Sequence, residues 1–238
     1  MIPKIIHQIF IPDGLNNVNL DDETIAIMKS WKLFHPCYDY KLWSLQSIRT
    51  LAKDFDSRVL LAIDACAFPA MKADIARLMI LFLQGGVYID LKLECIRSFI
   101  DEFSNHKLIL LEHFPMGEAV FERNKWLINS LIMAEASHEF IRRALYDCVC
   151  NVEARLESGK WHGLWYTTGP MVLMRLQKEF LPLEYGQFEN GVGVILQKAY
   201  GELFKTSGGS YNKEGRHWWE REHRGESLFT DCCVRKCT

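Results

Sequence analysis

The segment that most constrains the fold runs from Met71 to Glu94. Met71 to Gln84 is rich in Ala, Leu, Met and Ile, which predicts a helix apolar on most sides and therefore buried. Gly85-Gly86 stops it, as glycine does just past a helix end. Val87-Tyr88-Ile89 then reads as a short buried strand that opens into Asp90-Leu91-Lys92-Leu93-Glu94. In open α/β sheets, ligands bind in the crevice beyond the carboxyl ends of the strands. The charged residues after Ile89 are therefore where a site is expected.

The flanking chain alternates in the same way. Ile5, Ile6, Ile9, Phe10 and Ile11 form an apolar run closed by Pro12-Asp13-Gly14, a buried strand and a turn. Asp21 or Asp22 caps a helix through Trp31 that ends at His35-Pro36. Tyr38, Tyr40, Leu42 and Trp43 give a second strand, and helices follow over 45–54 and 57–67. Further on, strands are expected at 108–111 and 127–133, and helices at 138–156 and 170–180. There is no internal repeat and no linker-like tract, so one layered α/β domain is expected over the 238 residues.

Composition narrows the partners. A formal net charge of -2 leaves no electrostatic footprint for nucleic acid. No apolar run approaches the ~18 residues of a membrane span. The first strand begins within a few residues of Met1, which leaves no room for a signal peptide and gives a cytoplasmic expectation. The 8 cysteines, with Cys148, Cys150, Cys232, Cys233 and Cys237 among them, lack the paired spacing of a structural zinc site and are read as reduced packing and surface thiols. His7, His106, His113 and His162 are scattered and read as structural. Trp161, Trp165 and Tyr166 fit either an acceptor-stacking platform or aromatic core.

Two groups of residues carry chemistry. Asp90, Lys92 and Glu94 stand two apart, so an extended chain puts them on one face with neighbours about 7 Å apart. Two carboxylates there could hold a hard divalent cation against a diphosphate; the plain alternative is a surface ladder of alternating charge. Asp74 and Arg77 lie one turn apart on the buried helix. They are either an ordinary helix ion pair or a polar pair kept in an apolar setting for a ligand.

These residues also carry a resemblance. Lys72-Ala73-Asp74-Ile75-Ala76-Arg77 followed by Gly85-Gly86-Val87-Tyr88-Ile89-Asp90 resembles the sugar-binding region of DXD-motif glycosyltransferases, the group of the fungal initiation mannosyltransferases, small bacterial polysaccharide transferases and, distantly, the glucosylating toxins. The opening Ile2 to Phe10, and Trp31, Pro36, Tyr38, Tyr40, Leu42 and Trp43, resemble the same family; the likeness is nearly continuous to about Phe99 and patchy beyond. It implies a GT-A fold: a single Rossmann-like nucleotide-binding domain over 1–238, with a mixed central sheet flanked by helices. Residues 1–100 would form the donor-nucleotide half and 101–238 the acceptor half with a C-terminal lid and tail.

The resemblance also implies roles. Phe10 falls where an aromatic ring meets the nucleotide base. Asp74 and Arg77 match residues that grip the donor sugar and its phosphates, with Tyr88 beside them. Asp90 matches the first acid of the DXD motif. Asn129 matches a polar residue on the donor or acceptor side and His217 a late histidine near the diphosphate; Thr168-Gly169-Pro170 resembles a further family landmark. The motif here, however, reads Asp90-Leu91-Lys92, so the second acid is a lysine. Three outcomes stay open: Lys92 replaces the metal ion (Mn2+ or Mg2+), Asp90 and Glu94 hold a weaker metal site, or the site is silent.

The expected function is a retaining hexosyltransferase using a nucleotide-diphosphate sugar, a UDP-sugar first and GDP-mannose second, on a glycan or other hydroxyl acceptor. Arg77, Lys92 and Asp90 are its catalytic candidates, and the loop from Ser207 to Gly215 is a candidate lid. The alternatives are a silent nucleotide-sugar-binding protein with a degenerate motif and a nucleotide-sugar hydrolase.

Overall fold

The computed structural model describes residues 1–12, 20–113, 126–158, 163–181, 188–206 and 218–230. Strand β1 (Ile5–Ile9) leads to helix α1 (Asp22–Phe34) and strand β2 (Asp39–Trp43). The Asp21 carboxylate accepts from the Thr24 amide at 2.8 Å, satisfying one free donor at the start of α1. Helices α2 (Leu45–Phe55), α3 (Ser57–Ala65) and α4 (Pro69–Gln84) follow; α4 starts on a proline, whose missing N–H costs nothing in a first turn. Then come β3 (Gly86–Ile89), β4 (Leu93–Cys95), β5 (Leu108–His113) and β6 (Trp126–Ala134). After them run α5 (Glu139–Ser158), α6 (Leu164–Thr167) and α7 (Met171–Phe180). The described chain closes with β7 (Phe188–Glu189), β8 (Val192–Ile195), α8 (Tyr200–Leu203), β9 (Phe204–Thr206) and α9 (Trp218–His223).

The central sheet has the order β2-β1-β3-β6-β5-β8-β7, and β4 pairs with β9 in a separate ladder. β1 runs parallel to β2 and β3, and β5 parallel to β8, while β6 is antiparallel to both of its neighbours. The sheet is therefore mixed, and helices cover it as expected. Alternation along the strands divides the apolar residues between two cores. Tyr88, Leu108, Leu110 and Ile132 face the cluster built on α2 to α5 and α7, whereas Val87, Ile89, Ile109 and Met133 face the one containing Trp31, Phe99 and Phe204.

The hinge between α4 and β3 needs both glycines. Gly85 has φ +62° and Gly86 φ +98°, and a Cβ on Gly86 would lie 2.5 Å from the Ile5 side chain and 2.6 Å from its carbonyl oxygen. His7 fastens the same corner from the side. Its Nε2–H donates to the Gly85 carbonyl at 2.9 Å and its Nδ1 accepts from the Trp43 indole N–H at 3.2 Å. Fully buried with both nitrogens spoken for, the ring stays neutral, and burial lowers its pKa to about 4.

The expected helices and strands are present with ends shifted by a few residues, and β4, β7 to β9 and the short helices α6, α8 and α9 are additions. Of the described cysteines, Cys66, Cys95 and Cys148 are buried, and Cys37 and Cys150 are exposed. Residues 227–230 return to the helices. Leu228 is buried, its carbonyl accepts from Ala67 N at 2.6 Å, and Thr230 N donates to the Ala65 carbonyl at 3.0 Å. No helix among the described residues is long and apolar enough to cross a membrane. The expected lid at 207–215, His162, Trp161, His217 and Cys232, Cys233 and Cys237 lie outside the described residues.

Candidate donor site

The carboxyl end of β3 meets three other elements. α4 lies against the sheet face that bears Tyr88, and β6 runs alongside so that Ile89 pairs with Leu131. The chain beyond Ile89 is therefore held against residues 129–130, and Asp90 N donates to the Ser130 carbonyl at 2.7 Å. Asp74 and Arg77 reach this point from α4. Their side chains are each only 6% exposed and form an ion pair at 2.9 Å. Burial takes this pair out of solvent, so it is not a solvated surface ion pair.

Arg77 is the centre of the arrangement. Nη1 lies 3.4 Å from Asp90 Oδ1 and donates to the Asn129 carbonyl at 2.5 Å, Nε donates to the Ala73 carbonyl at 3.2 Å, and the guanidinium sits 4.5 Å from the Tyr88 ring centroid. Asp74 is held as firmly. Asn129 Nδ2 donates to its Oδ1 at 2.9 Å and the Thr168 hydroxyl to its Oδ2 at 3.1 Å. The Tyr88 hydroxyl donates to Asp90 Oδ1 at 2.8 Å. The result is a continuous polar network in which both carboxylates share one arginine.

The electrostatics follow from burial. Desolvation raises the Asp74 pKa to about 6, against the pull of Arg77 and with the Asp90 charge pushing the same way. Burial is also the chief reason the Tyr88 phenol is raised, so it stays protonated and donates. A raised carboxyl beside a fixed cation, next to the carboxyl end of β3, is the kind of environment in which ligand sites are found.

Lys92 departs from the extended spacing. Leu93 N donates to the Asp90 carbonyl at 3.1 Å, so Leu91 and Lys92 form a turn and not a continuation of β3. The turn folds Lys92 back until Nζ is 3.7 Å from Asp90 Oδ2. It also separates Glu94 from Asp90: Glu94 sits on β4 opposite Lys205 of β9, with Lys205 Nζ 3.1 Å from its carboxylate. A single extended acidic face therefore does not form. A hard divalent cation asks for several oxygen ligands. Here Asp90 brings one carboxylate already met by Tyr88, Arg77 and Lys92, and an ammonium stands where a second acid would help. The donor set does not fit a divalent cation, and no three His, Cys, Asp or Glu among the described residues group to hold one.

Of the other residues expected here, Phe10 follows β1 directly, half-buried, with its amide bonded to the Trp43 carbonyl at 2.9 Å. That puts Phe10 at the carboxyl edge of the same sheet, on the strand next to the one that ends at Asp90. Asn129 joins the network itself, whereas His217 falls outside the described residues. Thr168 is a direct partner of Asp74, more than a landmark, and Gln8 and Tyr40 were not singled out by sequence. The Tyr40 hydroxyl donates to Gln8 Oε1, and Gln8 Nε2 reaches the Asp90 carbonyl at 3.5 Å. A glutamine beside His7 among the isoleucines of β1 was the signal available for them.

Known proteins match this frame. Residues 21–110 match the family described as "Glycosyltransferase sugar-binding region containing DXD motif". Inositol phosphoceramide mannosyltransferase 2 of Schizosaccharomyces pombe is 30% identical over 257 residues, covering 98% of this chain and 66% of its own. Mannosyl phosphorylinositol ceramide synthase SUR1 of Saccharomyces cerevisiae is 27% identical, covering 92% and 52%. Inositol phosphoceramide mannosyltransferase 3 of Schizosaccharomyces pombe is 32% identical over 97 residues, and this chain spans only 26% of its length. These curated relatives are thus longer than the chain.

Among solved structures, the ligand-free glycosyltransferase domain from the YGT toxin superposes with a TM-score of 0.54 at 9% identity, covering 99% of this chain and 89% of that one. The PaToxG glycosyltransferase gives 0.52 at 18% identity, covering 75% and 70%. These likenesses show a GT-A fold. With the buried Asp74–Arg77 pair of α4 and Asp90 at the end of β3 set in that fold, the chain belongs to the glycosyltransferase family whose sugar-binding region contains the DXD motif.

Proposed function

We propose that the chain transfers a hexose from a nucleotide-diphosphate sugar to a hydroxyl of a glycan or glycoconjugate, with retention of anomeric configuration. The observation that carries the reading is the network of buried Asp74 and Arg77 with half-buried Asp90 and Asn129, joined by hydrogen bonds and ion pairs at the carboxyl ends of the sheet. Nothing in ordinary core packing asks for two carboxylates and an arginine there, since apolar residues of similar volume serve stability equally well. A polar sugar and its phosphates do ask for them.

The roles follow from position. Asp74 and Asn129 present oxygen and amide groups to sugar hydroxyls, Phe10 offers a ring to the base, and Arg77 lies behind Asp90 as a fixed positive charge. In the transfer step the acceptor oxygen bonds to the anomeric carbon as the bond from that carbon to the diphosphate breaks. The bonding pair leaves on the diphosphate oxygen, which takes up the acceptor's hydroxyl proton on the same face of the ring. Catalysis in this scheme is positioning together with stabilisation of the charge that grows on the departing oxygen.

The relatives' names, a mannosyltransferase and a mannosyl phosphorylinositol ceramide synthase, favour a mannosyl donor over a UDP-sugar. The test is nucleotide release from a panel of UDP- and GDP-sugars, with and without an acceptor extract, beside Asp90→Ala. Release from one donor that disappears in the variant supports the reading. Release that needs no acceptor at all points instead to a hydrolase. No release from any donor, by protein shown to be folded, supports the second reading of a nucleotide-sugar-binding protein without turnover.

A further inference from the structure

We infer that Lys92 takes the place of a divalent cation, so that this chain holds a nucleoside diphosphate by fixed side-chain charge and needs no metal ion to do so. The inference rests on the donor-site reading above and deepens it. The family is described by an acid–any–acid motif, and this chain carries an ammonium at the third position. An ammonium repels a cation but is itself a phosphate ligand, acting as a compact point charge with three donors.

Geometry puts that charge where it can act. The turn at Leu91–Lys92 brings Nζ to 3.7 Å from Asp90 Oδ2, while the other carboxylate oxygen is occupied by Tyr88 and faces Arg77. The Lys92 side chain is 27% exposed, whereas Arg77 is 6% exposed. Lys92 is therefore the accessible cation of the cluster, with Arg77 as the buried one behind it. A ligand phosphate approaching the end of β3 meets the ammonium first.

The charge balance points the same way. Asp74 and Asp90 are cancelled by Arg77 and Lys92, so the four side chains together are formally neutral. With a carboxylate at position 92 the same four would carry a double negative charge, and a diphosphate could approach only after a divalent cation had neutralised it. Exchanging a carboxylate for an ammonium changes the site by two units, the charge of the ion it displaces. Glu94, the nearest further acid in sequence, is engaged by Lys205 on the neighbouring ladder. The site thus has the balance of a metal-loaded one without the metal.

The experiment is calorimetric titration of the whole protein with UDP and with GDP, in EDTA and in Mn2+, with free Mn2+ followed by electron paramagnetic resonance. One nucleotide is expected to bind in EDTA with an affinity that Mn2+ changes little. Lys92→Ala should weaken that binding about tenfold or more, the scale of one charge-assisted hydrogen bond. Lys92→Arg should retain it. Lys92→Asp should bind poorly in EDTA, recover in Mn2+ and take up the ion in the resonance signal. If Lys92→Ala fails to fold, the contrast between Lys92→Arg and Lys92→Asp decides. Binding by the unaltered protein only in Mn2+, or Lys92→Ala binding as tightly as the unaltered protein in EDTA, would overturn the inference and leave the donor site standing. Binding of neither nucleotide in either buffer would overturn the donor-site reading and this inference with it.

Discussion

Asp74 shows how one residue links burial to behaviour. Its carboxyl is raised to about 6 by desolvation, from an ordinary value near 4. The folded protein therefore holds this proton more tightly than the unfolded chain does. Its contribution to stability is full below about pH 4 and is lost as pH rises through about 6. Carboxylates such as Asp56, Glu153 and Glu226 are lowered by hydrogen bonds from Tyr146, Arg58 and Arg221 respectively, and run the opposite way. The prediction is therefore a difference. Denaturant stability of the unaltered protein minus that of Asp74→Asn should fall between pH 4 and pH 6, and a flat difference would mean that Asp74 titrates normally. Asp74, Arg77 and Asp90 were legible in the sequence because a charged pair one turn apart on an apolar helix stands out. The reach of Lys92 was not. Leu91-Lys92 contains no Gly, Pro, Asn or Asp to announce a turn, so extended spacing was the natural expectation.

Among elements, α4 and β3 decide where the site lies. The helix supplies Asp74 and Arg77, the strand delivers Asp90, and only a glycine fits the junction at position 86. Gly86→Ala must clash with Ile5 backbone and side chain at a φ that alanine avoids, so a loss of about 2 kcal/mol or more is expected by urea denaturation. Melting at the unaltered midpoint would show that the junction relaxes. This helix–glycine–strand unit was readable because each part has its own signal: propensity, breaker, apolar run. β8 and β9 were not. They are 4 and 3 residues long, too short to display a period, and β9 finds its partner β4 more than a hundred residues earlier. The turn at Lys92 and the β4–β9 ladder belong together, since the chain leaves the main sheet to join it. Missing the second made the first invisible.

At the scale of the molecule, the two halves expected from the resemblance are interleaved. β6 of the later half lies beside β3 and supplies Asn129, Thr168 reaches Asp74 from beyond α6, and residues 227–230 return to the end of α3 and the connection that follows it. Ending the chain at His217 removes buried Leu228 and the backbone bonds to Ala67 and Ala65, and should cost about 3 kcal/mol. Thermal denaturation checks this; an unchanged midpoint would make the returning segment a passive tail. The layered α/β fold was legible from alternation alone, but this interleaving depends on contacts distant in sequence that no local pattern encodes. In the proposed function this architecture seats a sugar nucleotide's diphosphate at Asp90 against Lys92 and Arg77. The most direct test is a crystal structure of the protein grown with the tighter-binding nucleoside diphosphate and Mn2+, with anomalous scattering recorded for manganese. Phosphate oxygens are expected within hydrogen-bond distance of Lys92 Nζ, with no anomalous peak between them and Asp90. A manganese bridging Asp90 to the diphosphate with Lys92 turned aside, or a diphosphate seated elsewhere, would contradict it.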